Sequence, residues 1–219
     1  MPCTTVGTNA LLEGKGAKTG LLVTEGFRGI YEVAEQSTPH GPSVFDVTYQ
    51  KPSLLAPESM TGEVIERVDF QGKVLKKLDE AALRKTVQEF RKKGVQSVAV
   101  CLLFSFLYPR HEKRIAEIFE KEAPEISISL SSEILPQIRE FFRLSTTVIN
   151  AYLQLILERY VHHLETQLDD AGLHTKKRYI MQSNGGTATF DAAARKAVAT
   201  VLSGPAGGVT AGVNLARDV

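Results

Sequence analysis

The chain has 219 residues, of which 43% are hydrophobic and 23% charged, and its formal net charge is +1. The hydrophobic fraction excludes an intrinsically disordered chain, because it is sufficient to bury a core at this length. Seventeen glycines and nine prolines exclude a low-complexity sequence. The balance of charges predicts no nucleic-acid partner and no attraction to acidic membrane surfaces.

Cysteine usage and the apolar runs predict a cytoplasmic protein. The two cysteines, Cys3 and Cys101, are far apart and do not make the disulfide framework of a secreted domain. Cys101 lies in the apolar run 98–104, where a buried and unreactive thiol is expected. We expect no signal peptide, because the first residues lack a charged segment followed by an apolar one. No apolar run approaches the length of a transmembrane helix, so no membrane partner is expected.

Apolar periodicity and end signals predict the regular elements of the first part of the chain. The predicted helices are at 4–16, at 80–93 and from Pro109 onward, and the predicted strands are at 19–24, 98–104 and 126–130. Segment 63–78 alternates between apolar and polar residues and is predicted to form a β-hairpin that turns at Gln71-Gly72. Asp79 is the expected N-cap of the helix that follows. Residues 35–62 lack a sustained period and are predicted to form a long irregular connection.

The order of these elements predicts an α/β fold. The strand, helix and strand between 97 and 130 predict a parallel pair of strands. A long helix at 145–171, a strand at 178–182 and a last helix at 205–215 follow. We therefore expect a first part at about 1–130, with the hairpin and the βαβ unit, and a second part at about 131–219.

Two glycine-rich turns in the second part are candidate ligand-binding segments. Residues 183–186 (SNGG) follow a strand, and the carboxyl ends of strands are where open α/β sheets bind ligands. Residues 203–208 (SGPAGG) open a helix, whose free N–H groups are suited to a phosphate or another anion. Neither segment matches the Walker pattern or GxGxxG. Tight packing between a strand and a helix is the alternative explanation for both.

The start of the predicted long helix is a third candidate. Arg143 precedes a Ser/Thr cluster that includes Ser145 and Thr146, which we expect to cap the helix. An arginine beside a positive helix end is suited to a carboxylate or phosphate ligand. The equally acceptable alternative is a plain N-cap, with Arg143 paired to Glu140.

No residue is identified as a nucleophile, general base or metal ligand. Glu158, His162 and Glu165 share one helix face, but a solvated face of a charged helix is the far commoner arrangement. The sequence therefore predicts no metal site, and it does not identify the catalytic residues.

Several segments together resemble the hydantoinase A/oxoprolinase family. Residues 4–17 (TTVGTNALLEGKGA) are similar to that family's TTxATNALLExKGA segment, with Gly7 in place of alanine. The family's other signatures follow in the same order, as TEGFR at 24–28, VAVCLL at 98–103 with YP at 108–109 and HE at 111–112, then 140–152, 181–186 and 203–208. The resemblance is closest to the N-methylhydantoinase A branch.

This resemblance implies an α/β fold related to actin, sugar kinases and heat-shock ATPases, with a mixed sheet and flanking helices, here incomplete. It implies part of an ATP-dependent hydrolase of cyclic amides of the hydantoinase or 5-oxoprolinase type, which activates a lactam or imide carbonyl by phosphorylation. The cofactor of the complete family protein is ATP with Mg²⁺. The implied partners are a hydantoinase B-type subunit or region and a small cyclic amide.

The resemblance also implies residues that line or support a substrate and nucleotide cleft. These are Thr4, Thr5, Thr8, Asn9, Arg143, Ser145, Thr146, Asn150, Asn184, Gly185, Gly204, Gly207 and Gly208.

Two features of the family's pattern fall outside residues 1–219. Asp-x-Gly-Gly-Thr hairpins, which wrap phosphate, normally precede the first segment and follow the last helix. We therefore expect no appreciable ATPase activity from the isolated chain. The alternatives are a catalytically silent remnant that packs against a partner, and a subunit of an acetone- or acetophenone-type carboxylase, which shares these motifs.

Overall fold

The computed structural model describes residues 4–34, 48, 52–175 and 177–217. The chain forms two compact units. We call Lys18–Val148 the sheet unit, and Met1–Ala17 with Ile149–Val219 the helical unit. The division of the sequence near residue 130 stays a prediction.

The regular elements are numbered in chain order. The helices are α1 (Val6–Leu12), α2 (Ile30–Val33), α3 (Glu80–Lys92), α4 (Arg110–Glu122), α5 (Ser131–Ile134), α6 (Glu140–Asp170), α7 (Phe190–Arg195) and α8 (Ser203–Arg217), with short 3₁₀ helices at Glu58–Met60 and Ala197–Thr200. The strands are β1 (Thr19–Thr24), β2 (Thr61–Val64), β3 (Arg67–Val68), β4 (Val74–Lys76), β5 (Ser97–Cys101), β6 (Ser127–Leu130), β7 (Tyr179–Met181) and β8 (Thr187–Thr189).

A four-stranded parallel sheet forms the centre of the sheet unit, in the order β2-β1-β5-β6. Strand β5 is buried along its whole length, as expected for a parallel strand covered on both faces. Helices α3 and α4 turn their apolar stripes toward the sheet, and Val87 and Ile115 are completely buried in the resulting core. The predicted α/β class and the βαβ unit formed by β5, α4 and β6 are confirmed.

Several predicted elements of the sheet unit are confirmed with changed limits. Strands β3 and β4 form the predicted hairpin, and Gly72 has the positive φ of +81° that its turn requires. The hairpin does not include residues 63–64, because β2 pairs in parallel with β1. The Asp79 side chain accepts a hydrogen bond from the Ala82 N–H at 3.0 Å, so the predicted N-cap is correct. Most of the predicted irregular connection lies outside the described residues.

In the helical unit, α1 is shorter than predicted, and the apolar face of α6 supplies much of the core through Leu153, Leu157 and Val161. The predicted strand at 178–182 is the first arm of an antiparallel hairpin, β7–β8. Helices α7 and α8 follow this hairpin. Within the described residues, no helix combines the length and apolar character that a bilayer crossing requires.

The predicted start of the long helix at residue 145 is wrong, because α6 begins at Glu140. Arg139, with a φ of +73°, immediately precedes the helix. The Ser145 hydroxyl donates to the Phe142 carbonyl, and the Thr147 hydroxyl donates to the Arg143 carbonyl. These hydroxyls lie inside the helix and bond to its carbonyls, so they do not cap its N–H groups.

Candidate functional site

The beginnings of α1 and α8 lie together in the helical unit. The Thr8 hydroxyl accepts a hydrogen bond from the Leu202 N–H at 3.0 Å, and the Ser203 hydroxyl donates to the Thr4 carbonyl at 3.2 Å. Leu202 precedes α8 and has a positive φ of +60°. Two of the predicted cleft residues, Thr4 and Thr8, therefore hold the start of the glycine-rich helix.

The first turn of α8 has the composition of an anion-binding helix end. The first helical hydrogen bond of α8 runs from the Ala206 N–H to the Leu202 carbonyl, at 3.3 Å. The N–H groups of Ser203 and Gly204 lie before this bond, at the open end of the helix. Unpaired N–H groups and the helix dipole favour negative charge at this end. A Cβ atom at Gly204 or Gly208 would meet no atom within 4 Å, so packing among the described residues does not require glycine there. Glycine leaves the backbone open to close approach by a ligand, and Gly207 lies beside them, half-buried.

The SNGG segment follows strand β7, as predicted, but it is the turn of the antiparallel β7–β8 hairpin and not the end of a strand in an open α/β sheet. Gly185 has a φ of +81°, and the Asn184 side chain accepts a hydrogen bond from the Gly186 N–H at 2.9 Å. Positive φ and this local asparagine bond are typical of tight turns. A Cβ on Gly185 would lie 3.1 Å from the Thr210 hydroxyl, so the turn packs against α8.

The remaining predicted residues of the helical unit differ in exposure. Thr5, which immediately precedes α1, and Asn9 within it are exposed, with the Asn9 side-chain nitrogen 3.5 Å from the Thr5 hydroxyl. Asn150 is fully buried: its side chain donates to the Arg195 carbonyl and accepts from the Val198 N–H, both at 3.1 Å. The amide of Asn150 thus connects α6 to the end of α7 and to the second 3₁₀ helix.

Arg143, Ser145 and Thr146 belong to the sheet unit. The Arg143 side chain is completely buried, and its guanidinium donates to the Gln137 carbonyl at 2.7 Å and to the Leu102 carbonyl at 3.0 Å. It also lies 5.2 Å from the centre of the Phe106 ring. The alternative pairing with Glu140 is present only at the limit of an ion pair, at 4.0 Å. The two terminal nitrogens of Arg143 thus bond to backbone carbonyls, whereas its buried Nε has no hydrogen-bond partner among the described residues.

A buried polar network lies where the parallel strands end, and the sequence did not reveal it. The Glu66 side chain, which is fully buried, accepts a hydrogen bond from the Thr24 hydroxyl at 2.5 Å and lies 2.7 Å from Nδ1 of His111. The Thr24 hydroxyl in turn accepts a hydrogen bond from the Leu103 N–H at 3.0 Å. The sequence did contain one indication of this network. Glu66 interrupts the apolar face of the alternating segment 63–78, and a charged residue at such a position needs a buried partner.

Glu112 holds the segment that follows β5. Its carboxylate accepts hydrogen bonds from the Leu102 N–H at 3.0 Å, the Ser131 hydroxyl at 2.7 Å and the Ser132 N–H at 2.8 Å. The Leu102 N–H donates to Glu112, and the Leu102 carbonyl accepts from Arg143. Both backbone groups therefore bond to side chains and not to a neighbouring strand. The predicted strand at 98–104 ends at Cys101 for this reason.

Cys101 confirms its predicted burial, which raises the pKa of its thiol to about 12. The thiolate is the reactive form of cysteine. In a Cys3→Ser variant at about pH 8, we expect Cys101 to react with Ellman's reagent roughly a thousandfold more slowly than a free cysteine. Unfolding in guanidinium chloride removes the burial and is expected to restore ordinary reactivity. Prompt labelling of the native variant would contradict this assignment.

A separate cavity of about 500 Å³ lies in the helical unit near the end of α6. Asp169 and Arg178, which form an ion pair, line it together with Glu165 and Asp191. The Arg178 guanidinium holds the pKa of Asp169 below its ordinary value. None of the predicted site residues lines this cavity. Over the described ranges, no group of three or more His, Cys, Asp or Glu side chains is placed to bind a metal ion.

Two family models match the chain. The model described as the hydantoinase/oxoprolinase N-terminal region matches residues 1–123, and the model described as hydantoinase/oxoprolinase matches residues 143–218. The first of these alone covers more than half of the chain.

Individual proteins give the same result. The chain is 35% identical to the caprolactamase subunit alpha of Pseudomonas jessenii, over 98% of the chain and 30% of that protein. It is 36% identical to 5-oxoprolinase 1 of Arabidopsis thaliana, over 94% of the chain and 17% of that protein. It is also 30% identical to the acetophenone carboxylase gamma subunit of Aromatoleum aromaticum, over 94% of the chain and 29% of that protein.

The fold is likewise shared with a solved structure. The crystal structure of ATP-dependent caprolactamase from Pseudomonas jessenii aligns with a TM-score of 0.89 and 33% identity, over 99% of this chain and 31% of that one. This agreement is consistent with the actin-like ATPase fold that the sequence resemblance implies. The chain thus spans less than a third of each of these proteins. Matching family models, sequence and fold show that the chain belongs to the hydantoinase/oxoprolinase family.

Proposed function

We propose that the chain is the part of an ATP-dependent cyclic amide hydrolase that binds nucleotide and activates a lactam or imide carbonyl by phosphorylation. The observation that carries this proposal is the similarity, in both sequence and fold, to an ATP-dependent caprolactamase over almost the whole chain. The identity to a 5-oxoprolinase, whose name also indicates a lactam substrate, agrees with it.

The start of α8 is the proposed phosphate-binding element. The N–H groups of Ser203 and Gly204 would hold phosphate oxygens, aided by the positive end of the helix dipole. Thr4 and Thr8 would fix the position of this helix end through the two hydrogen bonds that connect α1 to α8. Two further pairs complete the proposed cleft on the helical unit. The exposed Thr5 and Asn9 lie at and near the start of α1, and Asn184 and Gly185 lie in the hairpin turn that packs against α8.

The chemistry explains why nucleotide is required. An unactivated amide is a poor electrophile, and its oxygen is a poor phosphoryl acceptor, so positioning and electrostatic stabilisation must supply most of the rate enhancement. ATP, bound as its Mg²⁺ complex, supplies the phosphoryl group in this proposal.

A second polypeptide or region would complete the reaction. Relatives carry names such as subunit alpha and gamma subunit, which indicate assemblies of several chains. We propose a hydantoinase B-type subunit or region as this partner, and the cytoplasm as the location.

The second candidate function is activation of a ketone in an acetophenone-type carboxylase. The specific observation in its favour is the 30% identity to the acetophenone carboxylase gamma subunit. The assay that separates the two measures ADP formation by the chain assembled with its partner. Dependence on caprolactam or 5-oxoproline supports the hydrolase, whereas dependence on a ketone with bicarbonate supports the carboxylase.

Nucleotide binding is tested by isothermal titration calorimetry with ATP. Two proteins are titrated: the chain alone, and the chain joined to the regions that flank it in longer relatives. The informative variant is Gly204→Glu, because it places a negative charge beside the proposed phosphate site without a steric clash. We expect at least a tenfold loss of ATP affinity, because the added carboxylate would repel the phosphates at close range.

The matched control is Gly212→Glu, which lies further along α8 and is equally free of neighbouring atoms. We expect its ATP affinity to stay within about twofold of that of the parent chain. Equal affinities for the Gly204 and Gly212 variants would remove α8 from the nucleotide site. Absence of binding by the flanked parent chain would contradict the proposed function itself.

A further inference from the structure

The segment that leads from α7 into α8 has no long regular element to fix its path. Between Arg195, the last residue of α7, and the start of α8 lies the second 3₁₀ helix, Ala197–Thr200. After it the backbone is extended at Val201 and left-handed at Leu202, where φ is +60°. The position of such a segment depends on the groups that bond to it from neighbouring elements.

Asn150 on α6 supplies two of these bonds from the interior of the helical unit. Its side-chain nitrogen donates to the Arg195 carbonyl, and its side-chain oxygen accepts from the Val198 N–H, both at 3.1 Å. Helix ends leave such backbone groups without partners inside the helix. Lys196, which immediately precedes the second 3₁₀ helix, gives that helix no side-chain hydrogen bond. One amide, which carries both a donor and an acceptor, therefore joins the end of α7 to the start of the 3₁₀ helix.

The path from this amide to the proposed phosphate site is short and buried. Thr200 and Ser203 are fully buried, and their hydroxyls donate to the carbonyls of Ala197 at 2.8 Å and Thr4 at 3.2 Å. A Cβ on Gly7 would lie 3.3 Å from the Thr200 hydroxyl, so the 3₁₀ helix packs closely against α1. A displacement of the 3₁₀ helix would therefore be passed on to the N–H groups at the start of α8.

The second 3₁₀ helix also holds the other glycine-rich segment of the proposed cleft. The Ser183 N–H donates to the Ala199 carbonyl at 2.7 Å, immediately before the hairpin turn that contains Asn184 and Gly185. The start of α8 and this hairpin turn are thus both connected to the 3₁₀ helix that Asn150 holds. All of these residues belong to the helical unit.

We propose that Asn150 is a positioning residue of the nucleotide site, which acts through the second 3₁₀ helix. This inference rests on the proposed function and gives Asn150 a role other than contact with the ligand. The Asn150 side chain is fully buried, so it acts on the site through the backbone of Arg195 and Val198. N–H donors that are fixed before the ligand arrives bind it more tightly, because binding then includes no cost of ordering them.

The first experiment measures ATP affinity by isothermal titration calorimetry, on the chain joined to its flanking regions. The variant is Asn150→Leu, because leucine has nearly the shape of asparagine and removes the hydrogen bonds to Arg195 and Val198. We expect about a tenfold loss of ATP affinity, since a displaced 3₁₀ helix would misplace the N–H groups of Ser203 and Gly204.

The matched control is Val161→Ala, at a buried position about three turns further along α6. This substitution removes core volume and lowers stability away from the 3₁₀ helix. We expect its ATP affinity to stay within about twofold of that of the parent protein, because the folded molecules keep their binding site intact.

The second experiment needs no nucleotide and follows amide hydrogen exchange in the same proteins. In Asn150→Leu we expect exchange to rise at least tenfold at the Val198 N–H, which loses its acceptor, and at the Ser183 N–H, which bonds to the 3₁₀ helix. Val161→Ala is expected to change both by less than about threefold. Unchanged exchange at Ser183 in Asn150→Leu would show that the 3₁₀ helix stays in place, and it would overturn the proposal.

The outcomes separate this inference from the function on which it rests. If the parent protein binds ATP and Asn150→Leu binds it within about twofold, the positioning role fails and the proposed function stands. Equal losses of affinity in Asn150→Leu and Val161→Ala would assign the effect to general destabilisation and would also overturn the positioning role. If the parent protein binds no ATP, the proposed function fails and the inference fails with it.

Discussion

Replacing Glu112 by alanine is expected to lower the free energy of unfolding by about 3–5 kcal/mol, because three donors lose their acceptor at a fully buried position. Two of these donors are backbone N–H groups on separate segments, that of Leu102 in a buried bond and that of Ser132 in a part-buried one. The Ser131 hydroxyl keeps one partner, Ser105, at 2.9 Å. Chemical denaturation followed by circular dichroism measures the loss.

The control for this prediction is Glu120→Ala, which is exposed on the same helix and is expected to change stability by less than about 0.5 kcal/mol. Glu112→Gln is expected to fall between the two, because the amide keeps one oxygen as an acceptor but adds donors that the site does not accommodate. Equal stability of the Glu112→Ala and Glu120→Ala variants would show that the carboxylate does not hold the segment after β5.

Arg143→Ala is expected to destabilise the sheet unit by about 3–5 kcal/mol, through loss of packing volume and of the donors to two buried carbonyls. The Gln137 and Leu102 carbonyls would lose the guanidinium, and the Phe106 ring would lose its cation. Arg143→Lys is expected to recover only part of the loss, because one ammonium group does not reproduce the planar fork of the guanidinium.

This second prediction separates a structural role from a ligand-binding role at a residue that the family resemblance places in the cleft. The control is Ser145→Ala on the same helix. The Ser145 hydroxyl bonds to the Phe142 carbonyl within its own helix, and the expected effect is below about 0.5 kcal/mol. Stability and ATP affinity are measured on the same variants. An Arg143→Ala chain with parental stability and weakened ATP binding would restore the ligand-binding interpretation.

Both predictions concern the segment that follows β5, where the two polar groups of Leu102 bond to side chains from α4 and α6. Side-chain bonds replace the sheet ladder there, so the strand ends while the chain stays buried. The same edge of the sheet holds Glu66 and His111. Loss of Glu112 or Arg143 is therefore expected to disturb the Glu66–His111 pair indirectly, so the stability of each variant is measured together with its activity.

Local sequence patterns were sufficient to predict most of the helices and strands. Strand β1 has the predicted limits, and Asp79 caps α3 as expected, because apolar periodicity and cap chemistry involve residues only a few positions apart. The start of α6 was misplaced for a local reason as well. Ser145 and Thr147 are common cap residues, but their hydroxyls also bond to carbonyls inside a helix, and the sequence does not distinguish the two uses.

The family and the candidate phosphate-binding helix were recognisable from the sequence alone, because motif order and the SGPAGG segment lie in contiguous residues. Only the tertiary structure revealed the Thr24–Glu66–His111 network, whose hydrogen bonds join residues 42, 45 and 79 positions apart. Only the tertiary structure assigned Arg143 and Asn150 to buried backbone contacts. A side chain's partners depend on which strands and helices become neighbours, and that arrangement follows from packing of the whole core, which no short stretch of sequence records.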